Sequence, residues 1–478
     1  MKYEVIIGLE VHVQLQTASK LFARDSATFG APPNSHISPI TMGHPGTLPF
    51  INKKAIGYAV KMGLALNCPI RQHHYFDRKN YFYPDLPKGY QVTQDNAPIC
   101  GAGYLEVETE AGKRKVRIHH IHMEEDAGKS IHDQHAKYSM IDLNRAGVPL
   151  VEIVTEPDMR SADEAATFLN EIRQIIQYLG ISDGNMEEGS LRCDCNISIR
   201  EKGTTEYNPR AEIKNMNSIK FVKKAIGYEF NRQVQLMERG ETIKQQTRGF
   251  DPQKGITLAQ RDKEDAHDYR YFPEPDLPLL HITDQELAQI IAEQPELASA
   301  KKQRYQKELG LSAYDTKVLT DEREIALYFE ELLPLVKDAK TAANWISNTV
   351  KSFLNDQKLT ISEFSLSPPK LAELIQLVTD GKINQQSAAQ KLLPAFAKQP
   401  EAEAVQLAEQ LNLLMDDSGD ALATIIDEVI AAHPNELKAY QNGKKKLFGM
   451  FMGEVMKAAK GKANPQQLKQ LLTQKLNV

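Results

Sequence analysis

Residues 2–15 alternate between apolar and polar positions. Val5, Ile7, Leu9, Val11, Val13 and Leu15 share one face, and Glu4, Ile6, Gly8, Glu10, His12 and Gln14 share the other. Successive side chains of a strand point to opposite sides, so a period of two predicts a half-buried β-strand. Residues 103–110, 114–123, 147–154 and 191–200 read as further strands. Two stretches switch to helical spacing. Residues 163–179 are amphipathic, with Ser161 as N-cap, Glu164 three residues on and Gly180 as the stop. Residues 218–239 repeat the pattern and end at Gly240. Short strands mixed with helices predict an α+β domain with antiparallel sheet.

Beyond residue 290 the pattern becomes helical. Candidate helices are 284–293, 322–337, 341–355, 369–379, 385–393 and 401–415, some of them separated by Pro368-Pro369, Pro394 and Pro400. Residues 419–477 read as three or four short helices. The expected division is 1–292, 293–405 and 406–478.

Composition narrows the class. Hydrophobic residues make up 41% of the 478, enough for packed cores. No apolar run approaches the ~20 residues that a membrane span needs. Charges interrupt the N-terminal stretch where a signal peptide would be apolar, so the expected location is the cytoplasm, away from membranes. Four cysteines, Cys68, Cys100, Cys193 and Cys195, are too few for a disulfide scaffold. The net charge of -5 does not suggest a nucleic-acid binder, but residues 437–478 hold nine lysines and a single acid, Glu454. That distribution predicts a local basic surface.

Several clusters could carry chemistry. Glu10 and His12 leave one face of one strand and could ligate a divalent metal, although on their own a solvated polar face is the simpler reading of two such residues. The run His119-His120-Ile121-His122-Met123-Glu124-Glu125-Asp126 is dense in imidazoles and carboxylates. Its adjacent carboxylates repel each other without a cation. Strand parity alone groups His120, His122, Glu124 and Asp126. Glu152 sits in an otherwise apolar segment, where a carboxylate must find a metal or a cation such as Arg145. Arg192, Asp194 and Asn196 share one face of a strand, while Cys193 and Cys195 join Ile197 and Ile199 as core. The stretch 77–85 interleaves cations and aromatics, which suits phosphate and a stacked base. Gly128-Lys129-Ser130 is no phosphate loop, because Met123 stands where a glycine is required. No hydrolytic nucleophile stands out, so any reaction must be metal-assisted polar chemistry.

Five long motifs occur in order. They are Val5-Ile6-Ile7-Gly8-Leu9-Glu10-Val11-His12-Val13, Phe76-Asp77-Arg78-Lys79-Asn80-Tyr81-Phe82-Tyr83-Pro84, His122-Met123-Glu124-Glu125-Asp126-Ala127-Gly128-Lys129, Met186-Glu187-Glu188-Gly189-Ser190-Leu191-Arg192-Cys193-Asp194 and Asp268-Tyr269-Arg270-Tyr271-Phe272-Pro273-Glu274-Pro275-Asp276. With them the chain resembles the B subunits of the tRNA-dependent aspartyl/glutamyl amidotransferases, as far as Lys457-Ala458-Ala459-Lys460-Gly461.

The resemblance implies an ATP-dependent carbon–nitrogen ligase with glutamine as amido donor. Its substrates would be misacylated Asp-tRNA(Asn) or Glu-tRNA(Gln), phosphorylated on the side-chain carboxylate and then attacked by ammonia. Ammonia would come from the A subunit, an amidase, and a small C subunit would complete a heterotrimer. The implied architecture is an N-terminal antiparallel-sheet cradle resembling glutamine synthetase, a helical middle domain and a helical tRNA-binding tail. The family's Mg²⁺ positions fall on Glu10, His12, Glu125 and Glu152, with Glu125, Glu10 and His12 as the catalytic set. Choosing Glu125 over Glu124 requires the strand to end by Met123. Lys79 and Arg192 are implied phosphate contacts, Tyr81 and Tyr83 pocket walls, and Lys444, Lys445, Lys446, Lys457, Lys460 and Lys462 contacts to tRNA phosphates. Some relatives carry four zinc-binding cysteines where this chain has Ala23, Asp25, Ser38 and Thr41, so no structural zinc is expected. Two other classes stay open: a tRNA-binding scaffold, which has no use for clustered carboxylates, and a small-molecule carboxylate–amine ligase, which has no use for a basic tail.

Overall fold

The computed structural model describes residues 2–109, 112–131, 137–262, 268–415, 419–459 and 465–476. The chain forms two compact units, Met1–Ala298 and Ser299–Val478.

The first unit is built on an eight-stranded sheet. Its strands are β1 (Tyr3–Gln14), β2 (Gly103–Thr109), β3 (Gly112–Glu125), β4 (Pro149–Thr155), β5 (Leu191–Glu201), β6 (Ala211–Lys214), β7 (Gln246–Asp251) and β8 (Ile256–Asp262). The spatial order is β8-β7-β6-β5-β1-β4-β3-β2. Every pairing is antiparallel except β6 with β7. The fold is therefore α+β with a predominantly antiparallel sheet.

Alternation decides which side of the sheet is covered. Ile7, Leu9, Val11 and Val13 of β1 are buried with Val151 and Ile153 of β4 and Cys195 and Ile197 of β5. Helix α1 (Ala162–Leu179) packs Phe168, Leu169, Ile172 and Ile176 into the same core, and α2 (Ile219–Glu238) adds Val222, Ala225 and Ile226. Each buried aliphatic side chain contributes about 1.5–3 kcal/mol. Ser161 caps α1 by accepting from the Glu164 amide, and Gly180 ends it in the left-handed region. Ser218 caps α2 in the same way. The even-numbered face of β1 lies on the opposite side, so the helices leave Glu10 and His12 uncovered.

Two features depart from the sequence reading. Helix Lys53–Ala65, capped by Asn52, has no counterpart there, because Gly57 and Gly63 weaken its helical signal. Gly63 is there for space: a Cβ on it would lie 2.4 Å from Cys100 Sγ. The second departure is in β3, which does not end by Met123. Its ladder continues through Glu124 opposite Leu150 and Glu125 opposite Pro149. Smaller sheets flank the main one. One joins Phe272–Pro273, Asp77–Asn80 and Tyr90–Thr93.

The second unit is helical among its described residues. One hydrophobic core gathers Tyr305, Phe329, Trp345, Leu371 and Phe396, and another gathers Leu422, Ile426, Phe451, Leu468 and Leu472. Helices Ala298–Leu309 and Ala313–Leu319 also lie outside the sequence reading. Pro394 does not separate helices. It lies within Leu393–Lys398, which continues directly from the wider π-type turn Ala388–Leu392. Such turns tolerate a missing amide donor. The 401–415 segment contributes a shorter helix, Ala404–Gln410. No described helix is long and apolar enough to cross a membrane.

Candidate active site

The face of the sheet opposite helices α1 and α2 gathers acids from five strands. On β1, His12 lies between Arg192 of β5 and Glu152 of β4, and Glu10 lies opposite Asp194. His122 of β3 lies opposite Glu152. A register shift between Ile118 and His120 sets this arrangement. Before it the buried apolar positions are Val116 and Ile118, and after it they are Ile121 and Met123. The bulge moves His120, His122 and Glu124 onto the polar face.

Two ligand-rich groups result. In the first, one side-chain donor atom each from His12, Glu124 and Glu152 lies within 4.8 Å of the others. Glu152 Oε2 lies 3.3 Å from His12 Nε2 and 3.4 Å from His122 Nε2. Thr93 Oγ1 donates to Glu124 Oε2 at 3.4 Å. In the second, Glu10, Asp194 and Glu212 meet the same 4.8 Å condition. Asn196 Nδ2 donates to Glu10 Oε1 at 2.9 Å. Lys214 Nζ pairs with Asp194 and, at 2.8 Å, with Glu212. Arg145, the cation expected for Glu152, is instead held by the carbonyls of Ala127 and Gly128.

The electrostatics follow from these neighbours. Burial raises the Glu10 carboxyl, and the charges of Glu152, Asp194 and Glu212 raise it further. Burial also disfavours the charged forms of His12 and His122, but the Glu152 carboxylate outweighs it. His12 is raised and His122 is pushed up to about 10. Glu152 is held well below the ordinary carboxylate range by the two imidazoles, against the effect of burial. His120 behaves oppositely: burial, then the neighbouring His122 and His119, push it down to about 4. Its Nε2 lies 3.1 Å from His122 Nδ1.

The structure does not bring Glu125 to this group. Parity sends it through the sheet from Glu124, and there it pairs with Lys88 and accepts from the Val92 amide at 3.0 Å. That pair lines a small pocket with Lys20, whose ammonium burial pushes down to about 8. Arg192 donates to Asp126 Oδ1 at 2.9 Å. Lys79 Nζ sits 4.8 Å above the Tyr269 ring and 5.7 Å from that of Tyr81. The Tyr81 hydroxyl donates to Gln91, which donates to the Glu125 carbonyl. Tyr83 is exposed. At the four zinc-motif positions, Asp25 accepts from Ser38 at 2.9 Å and from Thr41, and Ala23 is buried. In the second unit Lys444, Lys445, Lys446 and Lys457 are exposed, while Lys460 and Lys462 lie outside the described residues.

Two family models match the chain. The one described as the GatB/GatE catalytic domain covers residues 5–288, and the one described as the GatB domain covers residues 327–476. The B subunit of the aspartyl/glutamyl-tRNA(Asn/Gln) amidotransferase of Thermodesulfovibrio yellowstonii is 48% identical over 472 residues, 99% of this chain and 99% of that one. Its counterpart in Geotalea uraniireducens is 49% identical over 482 residues, spanning 100% of both chains. The Trichodesmium erythraeum counterpart is 48% identical over 99% of this chain and 98% of its own. The chain belongs to the GatB/GatE family. Both acidic groups fall inside the GatB/GatE catalytic-domain match, and the exposed lysines 444–446 and 457 fall inside the GatB-domain match. Sequence reasoning missed Glu212 and Lys214. Their signal was present in Ala211-Glu212-Ile213-Lys214, a four-residue alternation of buried apolar and outward charged positions.

Proposed function

We propose that this chain serves a glutamine-dependent amidotransferase that converts Asp-tRNA(Asn) or Glu-tRNA(Gln) into Asn-tRNA(Asn) or Gln-tRNA(Gln). The names of its full-length relatives support this reading. The observation that carries the chemistry is the convergence of two acidic groups on one sheet face. An oxygen of the substrate's side-chain carboxylate attacks the terminal phosphorus of ATP and ADP departs. Ammonia then attacks the acyl carbon and inorganic phosphate departs.

A carboxylate attacking a polyphosphate faces charge repulsion, and the polar face answers it. Its donor set of carboxylates with one or two imidazoles fits Mg²⁺, which prefers hard oxygen ligands. His12, Glu124 and Glu152 would hold the ion, with Glu10 beside them. Bound there, Mg²⁺ would neutralise phosphate oxygens and keep attacking and leaving groups in line. His122 orients Glu152. Glu125 is better suited to anchoring Lys88 than to ligation, because its oxygens already accept from Lys88 and Val92. Lys79 and Arg192 supply cations for phosphate, and Tyr81 and Tyr83 wall the pocket.

The same reading makes residues 1–292 a cradle of glutamine-synthetase type, 293–405 a helical spacer and 406–478 a tRNA-binding tail. Ammonia would come from an amidase partner, the A subunit, while a small C subunit holds the cytoplasmic complex together. The test is amidation of Glu-tRNA(Gln) and Asp-tRNA(Asn) by the reconstituted complex, with ATP, Mg²⁺ and free ammonium. Conversion of either tRNA by wild type, lost in Glu152→Gln while tRNA still binds, is expected. A wild-type complex that amidates neither would overturn the proposal.

A further inference from the structure

Two histidines stand side by side on a different sheet from the acidic groups. A two-stranded sheet of the first unit pairs His73–His74 with Leu280–His281. His73 lies directly opposite His281, and His74 opposite Leu280. The Ile282 amide donates to the Gln72 carbonyl at 2.8 Å. Hydrogen-bonded and non-hydrogen-bonded pairs alternate along an antiparallel ladder, so the adjacent pair, His73 with His281, is of the second kind. Such pairs bring opposing residues closest, with Cα atoms about 4.5 Å apart.

The imidazoles use that proximity. Their rings are parallel to within 1°, with centroids 4.3 Å apart. Both residues are exposed, and among the described residues neither ring forms a hydrogen bond. His74, by contrast, is buried behind them. A carboxylate faces the pair. Glu286 lies in the first turn of the helix Asp284–Ala292, and its Oε2 accepts from the Thr283 amide and hydroxyl at 2.9 Å each. Its Oε1 is left over. The Thr283 hydrogen bonds, then the charges of Lys53 and His281, hold the Glu286 carboxyl below the ordinary range. It is ionised at neutral pH.

We propose that His73, His281 and Glu286 form a site for a divalent transition metal of the zinc class, separate from the acidic face. Imidazole nitrogens suit Zn²⁺, Ni²⁺ and Cu²⁺, whereas Mg²⁺ takes oxygen ligands. Two imidazoles, one carboxylate and a water complete the tetrahedral set that zinc accepts. Two nitrogens on one tetrahedral zinc stand about 3.4 Å apart, from bonds of about 2.1 Å. The parallel rings reach that spacing by tilting their near edges together. Glu286 is exposed and turns Oε1 toward the ion. The ion ties two segments distant in sequence, and it does so just ahead of the strand Asp77–Asn80 that carries Lys79. The site is independent of the amidation chemistry proposed above.

Equilibrium dialysis of Zn²⁺ against the full-length chain, in excess Mg²⁺, tests this. Wild type is compared with His73→Gln, His281→Gln and Glu286→Gln. All three positions are exposed, and a thermal melt without zinc verifies each fold. Zinc held on the acidic face is common to all four proteins and cancels in the comparison. The expected result is one equivalent of Zn²⁺ in wild type whose affinity falls about tenfold or more in each variant. Zinc should also raise the melting temperature of wild type further than that of either histidine variant, because an ion that binds only the folded chain stabilises it. Equal zinc affinity and stoichiometry in wild type and both histidine variants overturn the proposal. So does a difference between them that appears only at millimolar zinc.

Discussion

The two acidic groups on the polar face neutralise themselves differently. Glu10, Asp194 and Glu212 have a built-in cation, because Lys214 reaches both Asp194 and Glu212. In the group of His12, Glu124 and Glu152 the carboxylates are paired directly with imidazoles, which need protons to compensate them, while the nearby Arg192 is held by Asp126. A fixed ammonium cannot be exchanged for a metal without moving a side chain, whereas imidazoles can trade a proton for a cation. Under the proposed function, the first group would be a scaffold that positions Glu10, and the second would hold an exchangeable Mg²⁺.

The largest expected effect separates the groups by activity. Glu152→Gln removes the charge that both His12 and His122 face, and ammonium-dependent amidation should fall at least ~100-fold, the order typical of lost preorganised electrostatics. Activity within a few-fold of wild type would break the distinction. A smaller effect concerns stability. Lys214→Met leaves Asp194 and Glu212 uncompensated. Because Lys214 is 37% exposed, solvent screening should limit the loss to about 1–2 kcal/mol in urea unfolding. Divalent-cation affinity should hardly change. A large gain in that affinity, with stability intact, would move the metal to the lysine-bearing group, whose carboxylates the ammonium otherwise neutralises.

The smallest effect is silent at neutral pH and serves as a contrast. His74 is fully buried, and burial pushes it down to about 4 against the opposing effect of the Arg71 and Gln72 backbone beside it. An unfolded histidine titrates near ~6.5. Between those values the unfolded chain binds the extra proton, so His74 makes stability fall as pH drops from about 6.5 to about 4, then level off. His120 acts in the same direction. His122 does the opposite: its contribution is complete below ~6.5 and is lost as pH rises through about 10. Chemical denaturation of His74→Leu from pH 7 to pH 4 should show a shallower acid loss than wild type. An identical slope would mean His74 does not titrate as described.

Much of this face was legible in the sequence, and its failures have local causes. Glu10 and His12 could be placed on one face because β1 alternates without interruption. The Ser161 and Ser218 caps were legible because capping depends on neighbours close in sequence. Strand parity also placed His120, His122 and Glu124 on one face, since all lie beyond the bulge, whereas Asp126, the fourth of that group, lies past the end of β3 and is held by Arg192. The end of β3 was misread because Glu124 and Glu125 look too polar for a ladder. They are buried there because Thr93, Val92 and Lys88 meet them from elsewhere in the chain. Such partners are distant in sequence. Lys214 was missed for the same reason: nothing near it in sequence announces that its strand will lie beside β5.

Mn²⁺ binding to the full-length chain, followed by electron paramagnetic resonance, tests the central claim most directly. Glu124→Gln and Glu125→Gln differ by one position and by the side of the sheet they serve. The account predicts that Glu124→Gln weakens the ion's affinity about tenfold or more, as loss of a ligand does, while Glu125→Gln leaves it within about twofold of wild type, since that carboxylate is no ligand. The reverse order would contradict it and return the metal to Glu125.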